Sequence, residues 1–176
     1  MSIKLTTQDV WLSTFIFGAS GFILLVPLLL KFRPTDVPHT TRVMVVASAI
    51  FWGLFAVVMV FRFWELYYQY LYPTWVRWVI PFSAVLYAAF GLGMWWLSQR
   101  LPWSGVLWFA LLGGVEGVLE HILGIYGMNI LEKVPFLEGL PIPPLLVFSF
   151  FEYILYWTLV AWLAFWMMKV ESVIGR

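Results

Sequence analysis

The stretch WSGVLWFALLGGVEGVLEHILGIYGMNI, residues 103–130, decides the fold. At ~1.5 Å per residue, a helix over it is long enough to cross the ~30 Å hydrocarbon core of a bilayer. It is apolar along most of its length, yet Glu116, Glu120 and His121 lie inside it. Working outward, four further runs have the same length and character, at about residues 10–31, 43–70, 75–98 and 143–168. The expectation is one all-α integral membrane domain over residues 1–176, a bundle of five transmembrane helices in which no part stands as a soluble domain.

The breaks between the runs carry turn chemistry. Lys31 to Arg42 holds Pro34 and Pro38, and Tyr72-Pro73-Thr74 and Gln99-Arg100-Leu101-Pro102 read as tight turns. The last loop passes through Glu132, Lys133, Pro135, Glu138 and Gly139 to further prolines. Proline is tolerated in a helix's first turn, where its missing N–H has no partner to lose, and this places helix starts near Pro102 and Pro144. The first run is followed by Lys31 and Arg33 rather than by a small-residue cleavage site, so it reads as a retained helix and not a signal peptide.

Composition excludes several classes of function. Only 11% of residues are charged and 63% are hydrophobic, which leaves too few polar side chains to cover a water-soluble surface. A formal charge of +1 supplies no basic face for nucleic acid. The absence of cysteine removes disulfides, thiolate metal sites and cysteine nucleophiles together. Lys31, Arg33, Arg42, Arg100, Lys169 and Arg176 fall on one side of the bundle and Lys4, Arg77 and Lys133 on the other. The excess of positive charge marks the cytoplasmic side, so the N-terminus is expected outside and the C-terminus inside. Trp75, Trp78, Trp95, Trp96, Trp103 and Trp166 are expected at the headgroup level, while Trp52, Trp108 and Trp157 lie deeper, packing between helices or lining a cavity.

The ionisable residues within the spans carry the functional information. These are Arg62 and Glu65 in the second run, Glu116, Glu120 and His121 in the fourth, and Glu152 in the fifth. A charge at the bilayer centre costs ~2.5–3.5 kcal/mol on insertion scales, so these groups should face one another, a cavity or water. Counting rise from the helix starts puts Glu116 and Glu152 near one level in the outer half of the membrane, with the others just above. Glu116 and Glu120, one turn apart, share a face, and His121 flanks it. Gly113, Gly114, Gly117 and Gly124 allow a neighbouring helix to approach closely. Glu152 and Tyr156, also one turn apart, place a phenol beside a carboxylate.

Three readings of this cluster follow. In one, Glu65, Glu116, Glu120, His121 and Glu152 hold a metal such as iron or manganese, as glutamates from several helices do in two-iron bundles. Those bundles use Glu-x-x-His on two helices, whereas this chain has Glu116-x-x-x-Glu120-His121 once. In another, carboxylates that cannot all ionise in a low dielectric perform acid–base chemistry, or bind a small apolar or lipid-like ligand, or carry protons. Glu116, Glu152 and His121 are then the catalytic groups, and Arg62, Glu65, Trp108 and Tyr156 line the ligand site. In the third, the polar groups join helices to one another, as in an accessory subunit of a larger membrane complex or a homo-oligomer.

One local likeness is present. Arg77-Trp78-Val79-Ile80-Pro81, with Tyr87 and Gly91 further on, resembles the Arg-Trp-Val-Phe-Pro stretch of the tryptophan-rich sensory (translocator) proteins, which are five-helix membrane proteins of similar length. The spacing slips by one at the tyrosine, and the stretch falls on the third helix where that family carries it on the second. The resemblance implies a five-helix, tryptophan-rich architecture and no particular activity.

Overall fold

The computed structural model describes residues 4–174, and among them every regular element is helical. The principal helices are α1 (Thr7–Lys31), α2 (Val37–Arg62), α3 (Ala84–Ser98), α4 (Gly105–Ile122) and α6 (Ile142–Ile174), with a single-turn α5 (Ile130–Lys133) between the last two. Five segments are long and apolar enough to cross a membrane: α1, α2, Ile80–Ser98, Gly105–Gly127 and α6. Their directions alternate along the chain, so α1 begins, α2 ends and α6 begins at one end of the bundle.

Local chemistry sets the helix ends. Thr6 and Asp9 form a reciprocal capping box, Asp9 N–H donating to Thr6 Oγ1 at 3.2 Å and Thr6 N–H to Asp9 Oδ2 at 2.8 Å. Asp36 caps α2 by accepting from His39 N–H at 2.9 Å, with Pro38 in the first turn where no donor is lost. His39 therefore sits in a helix rather than a loop, and its Nε2 lies 3.0 Å from Glu171 at the end of α6. Trp103 adopts a left-handed turn (φ 73°), so α4 starts at Gly105, two residues later than expected.

Two boundaries differ substantially from expectation. The second helix ends at Arg62 instead of continuing to 70, because the aromatic segment after it folds into turns: Tyr67 and Tyr68 N–H both donate to Phe63 C=O. The third span is preceded by successive 3₁₀ turns at Thr74–Trp78 and Ile80–Ser83, with Pro81 inside the second. The α4 helix runs on through a wider π-type turn, Leu123–Gly127, and the chain then reverses at Asn129 in the left-handed region.

The α6 helix is the spine, packed against α1, α2 and α4, while α3 bridges α2 and α4. Its 33 residues span ~50 Å, more than a bilayer core requires. Trp95, Phe109, Trp157, Leu28 and Met44 fill the centre with almost no exposed surface. Trp95 thus belongs to the core and not to the headgroup level. Trp75, Trp78, Trp96, Trp103 and Trp166 are exposed. Phe15, Phe22, Leu54, Val58, Val85 and Leu119 also lie open on the outside, as lipid-facing side chains should.

A second, smaller cluster covers the N-terminal end of the bundle, with Val10, Ile125, Ile130, Val134, Leu137 and Leu145 at its centre. Leu5 N–H donates to Phe136 C=O at 3.0 Å, and Lys4 Nζ reaches Glu138 at 2.8 Å. The Lys4 ammonium holds the Glu138 carboxyl below its ordinary range through this hydrogen bond and its charge.

Candidate functional site

The site is built on the antiparallel contact between α4 and α6. Three glycines on α4 make this contact close. A Cβ on Gly113 would run into the Trp157 indole, one on Gly117 into the Tyr153 ring, and one on Gly114 would meet Phe150 at 2.7 Å. Gly124 differs, because a Cβ there would meet Ile130 at an ordinary 3.4 Å. With rings lying flat against α4, each step up α4 is matched by a step back along α6. Glu116 meets Trp157, Glu120 meets Tyr153, and His121 meets Glu152.

The polar contacts follow from that register. Trp157 Nε1 donates to Glu116 Oε2 at 3.0 Å, while Glu116 Oε1 is buried without a partner. Glu120 accepts from two phenols: Tyr87 of α3 lies 3.0 Å from both carboxylate oxygens and Tyr153 of α6 lies 2.5 Å from Oε2. Behind Tyr87, Trp52 of α2 stacks in parallel at 3.7 Å between centroids. His121 Nδ1 lies 3.0 Å from Gly117 C=O. A carbonyl only accepts, so Nδ1 carries a hydrogen and Nε2 is left to exchange a proton. Glu152 Oε2 stands 3.9 Å from that Nε2, beyond direct hydrogen-bonding distance.

These groups form part of the wall of a cavity of about 870 Å³ at the N-terminal end of the bundle. Glu120, His121, Glu152, Tyr153 and Tyr156 line it, together with Phe51, Trp52 and Phe55 of α2, Phe17 of α1 and the loop residues Tyr67 and Tyr68. Tyr156 is 7% exposed and its hydroxyl has no partner. Burial first, then neighbouring Tyr72 and the Glu152 carboxylate, push the Tyr68 phenol up to about 12, so this part of the roof stays a neutral donor at ordinary pH. The volume lies within the ~300–1,000 Å³ usual for small-molecule sites.

Several expected site residues fall elsewhere. Arg62 and Glu65 are exposed at the end of α2 and beyond it, and neither forms an ion pair among the described residues. Glu116 lies behind the cavity wall and not on it. Trp108 Nε1 donates to Pro102 C=O at 2.5 Å near the opposite end of the bundle, so it belongs to the α4 start. Glu152 faces His121, five residues along α4 from the expected match with Glu116, and the two-residue delay in the start of α4 accounts for only part of that shift. Tyr156 is near the site but does not pair with Glu152. Among the described residues no three histidine, aspartate or glutamate side chains are grouped to hold a metal ion. The donors are otherwise engaged: Glu120 by phenols, Glu116 by indole, His121 Nδ1 by a carbonyl, with Glu65 outside.

Tyr87 and Tyr153 are partners of Glu120 that the sequence did not single out for this site. Gly117 was the available signal, since a glycine one turn before a buried glutamate makes room for a ring that can reach it. No family model matches this chain, and neither does any curated protein or solved structure.

Proposed function

We propose that this chain is a multi-pass membrane protein, N-terminus outside and C-terminus cytoplasmic, that binds a small apolar or lipid-like molecule in the cavity and presents it to the His121–Glu152 pair for proton exchange. One observation carries the reading: a histidine and a carboxyl group, His121 and Glu152, sit together on the wall of a largely apolar cavity of ligand size. The 3.9 Å spacing supports it, since a hydroxyl of a bound molecule lying beside the pair would be within hydrogen-bonding distance of both groups. Glu116 and Glu120 support a second, structural reading for themselves, because Trp157, Tyr87 and Tyr153 already hold them across helices.

Ser13 of α1 lines the cavity, and Ser13→Trp would fill part of it. Protein purified gently from its own membrane should carry an apolar small molecule near one equivalent, detected by mass spectrometry of the organic extract. The Ser13→Trp variant should fold and lose that molecule. Equal amounts in a filled and an unfilled cavity, or none in either, would count against the reading.

A further inference from the structure

The cavity wall has a charge bias. Among the described residues, its ionisable side chains other than tyrosines are Asp9, Glu120, His121 and Glu152, and no lysine or arginine lines it. Asp9 is occupied at the mouth by its capping contacts with Thr6. The two glutamates are deeper, in apolar surroundings where one sign of charge focuses its field instead of being screened away. An anionic ligand would meet like charges there. A cationic ligand would give Glu152, which accepts no hydrogen bond from the described residues, the partner that the fold does not supply.

Two further observations point to the kind of head group. The Tyr156 hydroxyl is buried, unpartnered and on the wall, so it offers an oxygen to an incoming N–H. Around it stand the faces and edges of Phe51, Trp52, Phe55 and Tyr87, with Phe51 and Phe55 meeting Tyr156 edge-on at 5.0 and 5.7 Å between centroids. Aromatic boxes of this kind attract organic cations when desolvated.

We infer that the cavity's ligand is an amphiphilic amine, its cationic head held by Glu152 and the Tyr156 hydroxyl and its apolar part among the aromatic rings of α1 and α2. This rests on the reading that the cavity is a ligand site, and it names the class of ligand. The test uses wild-type protein in phosphatidylcholine nanodiscs and three radiolabelled probes of one chain length: dodecylamine, dodecanol and dodecanoate, with empty nanodiscs subtracted. The amine should bind at least ~10-fold tighter than the alcohol, about the effect of one well-placed charge interaction, and the carboxylate weakest. Glu152→Gln should reduce amine binding toward the level of the alcohol and so shrink the preference for the amine. If the alcohol or carboxylate matches the amine, the cationic assignment fails while the cavity reading stands. If none of the three binds above the empty discs, the cavity reading itself fails. Should the variant not fold, the wild-type ranking alone decides.

Discussion

Glu120 takes its hydrogen bonds from phenols on two different helices, and that makes its environment testable residue by residue. Tyr87→Phe or Tyr153→Phe removes one donor and leaves the other. Each change should cost about 1–2 kcal/mol, and the double variant more than the sum, because a buried carboxylate then has no partner. Denaturation of detergent-solubilised protein would check this, and additive or negligible losses would contradict it. The acidic members of the site were legible in the sequence because a charge among lipid tails demands an explanation. Their partners were not. Tyrosine and tryptophan are common at membrane interfaces for general reasons, so nothing in the sequence distinguishes Tyr87 and Tyr153 from Tyr70 or Tyr126. His121 was expected on the flank of the glutamate face, and in the structure it stands 3.9 Å from Glu152 of α6.

At the scale of the element, the α4–α6 register is set by small residues. Gly117→Leu and Gly113→Leu would drive a side chain into Tyr153 and Trp157 and should destabilise the fold by ~1–3 kcal/mol or more. Gly124→Ala, which meets only an ordinary contact, should leave the melting temperature nearly unchanged. A reversed ranking in a thermal-shift assay would sink this account of the interface. All four glycines were singled out in the sequence, since small residues on a helix have a direct packing meaning, and three of them, Gly113, Gly114 and Gly117, make the close contact while Gly124 does not. Helix ends were read less well. No proline or glycine interrupts residues 63–70, so hydrophobic length extended α2 past its true end and carried Glu65 into a site it does not reach. Counting depth from an assumed start likewise shifted Glu152 by about a turn relative to α4.

For the whole molecule, length and hydropathy suffice to indicate five spans, because a bilayer imposes a minimum apolar run that few soluble sequences reach. Orientation is a separate matter of charge distribution. The chain contains no cysteine, so single replacements report cleanly. With the proposed topology, Thr74→Cys in intact cells should react with a membrane-impermeant maleimide and Ser172→Cys only after lysis; the opposite pattern would invert the bundle. The cavity was not legible in the sequence. It arises where α1, α2, α4 and α6 spread apart beneath the loop and α5 cap, and each of its aromatic residues taken singly looks like core or interface.

Photolabelling tests the central claim most directly. An alkyl diazirine amphiphile, irradiated with the protein in nanodiscs and mapped by mass spectrometry, should mark Phe51, Phe55, Leu155 or Leu159 inside the cavity, and Ser13→Trp should abolish those labels. Labels confined to Phe15, Leu54 and Val85 on the outside of the bundle, and unaffected by that substitution, would show that the cavity takes no such molecule.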